Sequence, residues 1–148
     1  MDTTTYTPGA AAHVTGGSDP SGPVGWVTFQ PQGQRVLVSA QIRGLPDNET
    51  GFFALHIHEG KCCTGEDFSD TGSHYDPAGT PHPRHAGDLP PLLSCHGKAH
   101  MSVWTDRFCV EDIIGRTVVI HSGPDDFTSQ PAGNAGSKIA CGQIVRAC

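Results

Sequence analysis

The sequence predicts an all-β chain, an antiparallel sandwich or barrel of about eight short strands that carries two long loops. Three observations predict it. Apolar and polar residues alternate with period two in several separate segments, the signature of a strand with one buried face. The 19 glycines and 12 prolines break the chain too often for long helices. No heptad and no internal repeat is present.

The strands follow in order. Residues 11–15 form a short apolar run, and residues 24–29 follow after the turn-rich Gly16-Gly17-Ser18-Asp19-Pro20. Val36, Val38, Ala40 and Ile42 then alternate with Leu37, Ser39, Gln41 and Arg43, an amphipathic strand. The fourth strand is Ala54-Leu55-His56-Ile57-His58-Glu59, read as half-buried, with both imidazoles on one face and Leu55 and Ile57 on the other. Residues 99–105, 117–121 and 138–145 complete the set. In 117–121, Val118 and Ile120 share one face and His121 takes the other. Helix is indicated nowhere beyond a single turn. Two segments, 60 to about 94 and 122–137, lack any periodicity, and structureless loops of that length in a compact domain are uncommon unless they carry a site.

At 148 residues the chain reads as one domain, 1–148, with residues 1–9 as a flexible N-terminal extension. A net charge of −6 with no basic patch excludes nucleic acid as a partner. No window is apolar enough to span a membrane, and the N-terminus has neither a basic nor an apolar leader region. The six cysteines, Cys62, Cys63, Cys95, Cys109, Cys141 and Cys148, include no Cys-x-x-Cys pair, so a thiolate metal knuckle is not expected. Their number favours disulfide formation and an extracytoplasmic or cell-surface setting. Asn48-Glu49-Thr50 matches a glycosylation acceptor, a triplet common by chance.

The chemistry concentrates between His56 and Asp88. There the chain places His-x-His on a strand, then His74, His82 and His85, then Asp88. Imidazole suits copper, zinc, iron and nickel, whereas three histidines with one carboxylate suit zinc in particular. The donors suffice for more than one ion. Metal ligation would also offset the ordering cost of a loop poor in apolar residues. His13, His96 and His100 match no motif and read as surface or structural residues.

Five strings occur in a distinctive order: Leu55-His56-Ile57-His58-Glu59, Gly72-Ser73-His74-Tyr75-Asp76-Pro77, Arg84-His85-Ala86-Gly87-Asp88-Leu89, Ile114-Gly115-Arg116-Thr117-Val118-Val119-Ile120-His121, and Gly133-Asn134-Ala135-Gly136-Ser137-Lys138-Ile139-Ala140-Cys141-Gly142. Together they resemble the copper/zinc superoxide dismutase family over about residues 10 to 146. The resemblance implies a Greek-key sandwich or barrel, the architecture under which this family is classed. It implies conversion of two superoxide anions and two protons to dioxygen and hydrogen peroxide by copper redox cycling, with zinc supporting the bridging histidine. It also implies the possibility of a homodimer.

Position by position, the resemblance assigns copper to His56, His58, His74 and His121, and zinc to His74, His82, His85 and Asp88, with His74 bridging both. Asp125 resembles the family's carboxylate that bonds one copper and one zinc histidine, here His56 and His82, and such partners fix ring orientation. His74 would carry a proton, and Lys138, where the family usually has arginine, would attract the anion as a point charge without an arginine's fork. Cys141 resembles the disulfide cysteine, with Cys62 or Cys63 as partner; further pairs among Cys95, Cys109 and Cys148 are open. The chain departs from the family in the short spacing between His82 and His85. That spacing fits tetrahedral zinc, but a copper-only enzyme with a degenerate zinc site also stays open, as does a copper-binding or buffering protein on the same fold.

Overall fold

The computed structural model describes residues 9–147. Nine strands form: β1 Ala10–Thr15, β2 Val24–Gln32, β3 Arg35–Arg43, β4 Phe52–Phe53, β5 Leu55–His58, β6 Leu92–Leu93, β7 Ala99–Thr105, β8 Thr117–His121 and β9 Lys138–Arg146. One short helix, α1 Val110–Ile113, is the single helical turn expected, and a 3-10 turn spans Glu66–Thr71. The N-terminal extension expected at 1–9 lies outside the described residues apart from Gly9, and Cys148 lies outside them too.

Seven strands make one antiparallel sheet in the order β5-β8-β9-β1-β2-β3-β7, curled into a half-barrel, and β4 pairs with β6 as a separate two-stranded ribbon. From β3 the chain crosses to β5 at the far edge, returns to β7 beside β3, and crosses again to β8 beside β5. These are Greek-key crossovers. The expected all-β class and the antiparallel barrel are both present.

The inner face of the curl is the core. β3 alternates as its sequence dictates, burying Val36, Val38, Ala40 and Ile42, and β1 and β2 add Ala12, Val14, Val27 and Phe29. From β5 and β8 come Leu55, Ile57, Val118 and Ile120. A buried aliphatic or phenyl side chain contributes roughly 1.5–3 kcal/mol, so this layer dominates the folding energy. The expectation of a half-buried fourth strand is corrected here: every residue of β5 is buried, and so is every residue of β8. Their histidine-bearing face is covered by the long loops in place of solvent.

Candidate metal centre

β5 is an edge strand, and its open side explains how the first loop reaches the site. Unpaired backbone groups on such an edge need partners. The loop supplies them. Tyr75 N donates to Ile57 O at 2.8 Å, Ile57 N to Gly87 O at 2.8 Å, Glu59 N to Ser73 O at 2.9 Å and Leu89 N to Leu55 O at 3.3 Å. This lacing sets His74 opposite His58 and Asp88 opposite His56. Gly87 is required at the crossing, because a Cβ there would stand 2.3 Å from Ile57 O. On the other side β8 pairs with β5, with His121 N bonded to Ala54 O at 2.9 Å, and the register of β8 against β9 shifts between Ile120 and His121.

Two overlapping clusters result. The potential donor atoms of His56, His58, His74 and His121 lie within 4.8 Å of one another, all from buried residues, and those of His56, His74, His82 and Asp88 do the same. His58 Nε2 and His121 Nε2 are 3.3 Å apart. In the second cluster Asp88 Oδ1 lies 2.8 Å from His74 Nδ1 and Asp88 Oδ2 lies 3.1 Å from His82 Nδ1; His85 is not one of its four members but borders it, with Nδ1 3.2 Å from Asp88 Oδ2. His74 Nδ1 and His85 Nδ1 are 3.2 Å apart. Tetrahedral bonds of about 2.0–2.1 Å put ligand atoms roughly 3.3–3.4 Å from one another, a little wider than these spacings, so the clusters could hold a metal ion.

Three buried nitrogens among the described residues make no hydrogen bond: His56 Nδ1, His74 Nε2 and His82 Nδ1, the last lying 3.1 Å from Asp88 Oδ2 without bonding to it. An orphaned buried polar atom is costly. Each orphan belongs to a ring whose other nitrogen is engaged. His56 Nε2 meets Asp125 Oδ2 at 3.0 Å, His82 Nε2 meets Asp125 Oδ1 at 2.7 Å, and His74 Nδ1 meets Asp88. The free nitrogens are where a cation would bind.

The outer contacts select which nitrogen is free. His58 Nδ1–H donates to Gly72 O at 2.8 Å and His121 Nδ1–H to Gly136 O at 3.3 Å, which turns both Nε2 atoms inward. Asp125 also accepts from Phe127 N at 2.8 Å, and Gln130 brackets the backbone of His82 with bonds of 2.9 and 2.7 Å. Arg107 Nη1 donates to Pro83 O at 2.8 Å and His85 O at 3.2 Å, fastening the same loop.

Electrostatics favours the ligating forms. Burial drives the His58 imidazole down to about 2 and His121 to about 3, with like-charged neighbours adding to it. Burial also lowers His56, against the pull of Asp125. Burial raises the Asp125 carboxyl, yet the hydrogen bonds from His56 and His82 outweigh it and leave the group well below the usual range. Asp88 is likewise lowered by His74 against its own burial. Neutral imidazoles and ionised carboxylates are what a metal requires.

Lys138, half-buried at the start of β9, donates from Nζ to Thr71 Oγ1 at 2.7 Å and to Gly72 O at 3.2 Å. Of the cysteines, Cys63 bridges to Cys141, while Cys62, Cys95 and Cys109 are exposed and free. The open choice between Cys62 and Cys63 therefore falls to Cys63, and among the described residues no further pair forms. His82 turns into the cluster despite its short spacing from His85. His13 is exposed and packs on Trp26 with ring centroids 4.7 Å apart; His96 and His100 are exposed. The Asn48 amide is occupied by Phe52 O, Ser122 O and Gly51 N. The roles of Thr71, Gln130, the Gly72 and Gly136 carbonyls, and Gly133, whose missing side chain leaves room for the Asp125 carboxylate, were not foreseen from sequence. Only Gly133 had a visible signal, a glycine in a loop that carries a ligand-supporting Asp.

Comparison with known proteins agrees with this geometry. The sequence profile of the family described as Copper/zinc superoxide dismutase (SODC) matches residues 24–144. The chain is 36% identical over 124 residues to superoxide dismutase (Cu-Zn) 2 of Aquifex aeolicus, covering 74% of this chain and 71% of that protein. It is 35% identical over 139 residues to the superoxide dismutase (Cu-Zn) of Deinococcus radiodurans, covering 80% and 75% respectively. It is also 34% identical over 152 residues to the human copper chaperone for superoxide dismutase, covering 93% of this chain and 53% of the chaperone.

Proposed function

Since the chain belongs to the copper/zinc superoxide dismutase family, we propose that it disproportionates superoxide, with copper held by His56, His58, His74 and His121 and zinc by His74, His82, His85 and Asp88. One observation carries this reading: His74 takes part in both clusters, its Nδ1 among Asp88 and His85 and its buried Nε2 left without a partner. A ring placed so can serve two cations at once.

When bound, copper supplies the one-electron cycle that oxidises one superoxide to dioxygen and reduces a second to hydrogen peroxide, and zinc supplies a fixed positive charge. The chain does the rest. His74 stays anchored at Nδ1 and holds or gives up a proton at Nε2, the only ring position not committed to the zinc-side cluster. Asp125 orients His56 and His82 together, so that both halves of the site keep one geometry. The Gly72 and Gly136 carbonyls fix the tautomers of His58 and His121. Lys138 supplies positive charge at the rim and draws in a small anion despite the net charge of −6.

Similarity to a copper chaperone favours a second reading, copper binding without turnover. Metal analysis beside a superoxide-consumption assay separates the two. One copper and one zinc per chain with fast turnover supports the dismutase. Stoichiometric copper without superoxide loss above the free-ion control overturns it in favour of copper handling, and copper with no retained zinc overturns the two-metal assignment.

A further inference from the structure

We infer that Thr71 is a positioning residue whose buried hydroxyl pins the Lys138 ammonium beside the His58–His121 pair and leaves that ammonium one free N–H for an incoming anion. The inference rests on the dismutase reading of the site and adds to it the group that steadies the steering charge.

Thr71 ends the 3-10 turn and is fully buried. Its Oγ1–H donates to Phe68 O at 2.8 Å. A hydroxyl has one proton, so toward Lys138 Nζ, 2.7 Å away, the same oxygen can only accept. The geometry therefore calls for a donor, which the Lys138 ammonium supplies. The second N–H of the ammonium goes to Gly72 O at 3.2 Å, the carbonyl that also takes the His58 Nδ1–H at 2.8 Å. A lysine ammonium has three donors, and two are now spent.

The arrangement answers a weakness of lysine at this position. Arginine brings a rigid planar fork, whereas lysine is a point charge on a flexible stem. Thr71 supplies the missing rigidity, and it is itself held. Gly60 N donates to Thr71 O at 2.8 Å, and the Cys63–Cys141 disulfide fastens the same loop to the strand that carries Lys138. Asp67 and Phe68, with φ of 53° and 58°, bend the turn so that Phe68 O faces back toward the Thr71 hydroxyl.

The test needs no metal for its first arm. The chain has three lysines, Lys61, Lys98 and Lys138. Metal-free protein is treated with a limiting amine-reactive ester, and acylation at each lysine is followed by mass spectrometry, with Lys61 and Lys98 as internal references. Thr71→Val is expected to raise acylation of Lys138 by about threefold or more relative to those references, and Thr71→Ser to restore the wild-type ratio, because a hydrogen-bonded ammonium must break its contacts to react. Equal Lys138 acylation in wild type and Thr71→Val overturns the inference. In the metal-loaded protein, Thr71→Val is expected to lower kcat/KM for superoxide at low ionic strength by about threefold to tenfold and to flatten its salt dependence, with Thr71→Ser close to wild type.

Should Thr71→Val not fold, the wild type alone decides. A slowly exchanging Lys138 ammonium signal in nitrogen-15 NMR, unlike those of Lys61 and Lys98, supports the anchor; an averaged signal like theirs overturns it. Absence of superoxide turnover in the loaded wild type would overturn the dismutase reading, while the acylation ratio would still decide whether Thr71 holds Lys138.

Discussion

Gly133 is pressed against the carboxylate of Asp125: a Cβ on Gly133 would stand 2.0 Å from Asp125 Oδ1 and 2.7 Å from His82 Nε2. Its φ of 73° is also one that a side chain adopts only with strain. The position is therefore closed twice over, by space and by backbone. Gly133→Ala must push Asp125 off at least one of its two imidazoles, and loss of such a supporting partner usually costs 10- to 100-fold in metal affinity, on the order of the effects seen elsewhere. Competition titration with a chromophoric chelator should show weakened retention on the zinc side, where His82 loses its orienting bond. Unchanged affinity would mean that the Asp125 bridge does not govern binding.

The buried histidines give the metal-free protein a definite pH response. His58 is held to about 2 and His121 to about 3, mainly by burial, and His56 is lowered for the same first reason. An unfolded histidine takes up its proton near pH 6.5, as an approximate reference value, so below about 6.5 the unfolded state binds protons that the folded state refuses. Stability then rises with pH in that window. The contribution is complete above about pH 6.5 and drains away as pH falls toward about 3, by at most ~1.4 kcal/mol per pH unit for each histidine. Asp125 and Asp88, both lowered in the fold, extend the loss below about pH 4. The Tm of metal-free protein should fall steadily between about pH 7 and pH 4, and less steeply in His121→Gln. A flat Tm over that range would refute the account, and bound metal should move the decline to lower pH, since ligation competes with protonation.

The sequence carries the strands and most of the centre, for a physical reason. Alternation of Val36, Val38, Ala40 and Ile42 reports a buried face directly, and the histidines with Asp88 and Asp125 announce themselves by residue type. What stayed hidden depends on chain path. β4 and β6 have two residues each, too few for any period, and the turn through Asp67 and Phe68 uses left-handed backbone at residues with no composition cue. Cys62 and Cys63 are indistinguishable as symbols, while only the path of the loop after β5 decides which one faces β9. The half-buried reading of β5 failed because its cover is an aperiodic loop, laced to the strand edge by backbone bonds that side-chain identity does not reveal.

The two adjacent cysteines should therefore behave oppositely. Cys63–Cys141 closes a loop with a sequence separation of 78, for which the chain-entropy estimate is about 4.5 kcal/mol of stabilisation, an upper figure that native-state effects reduce. Cys62 is exposed and free. Cys63→Ser should lower stability by up to ~4 kcal/mol in denaturant titration, whereas Cys62→Ser should stay within roughly 0.5 kcal/mol of wild type. Equal effects of the two substitutions would mean that the bridge exchanges between them.

Lys138 is the sharpest test of the steering argument, because the protein as a whole repels its proposed substrate. With a net charge of −6, the long-range field opposes the approach of an anion, and local positive charge must offset it. Lys138 is tied to Gly72 O, the same carbonyl that orients His58. Lys138→Glu changes the local charge by two while leaving the histidine donors in place. Added salt should slow the wild type by screening an attraction and speed the variant by screening a repulsion, since the Debye length shrinks to about 10 Å at 0.1 M. At low ionic strength kcat/KM should fall by about tenfold or more. Lys138→Met, which removes the charge without reversing it, should lie between the two and respond weakly to salt. Stopped-flow superoxide decay across an ionic-strength series measures all three, and an unchanged rate in Lys138→Glu at low salt would remove Lys138 from the mechanism.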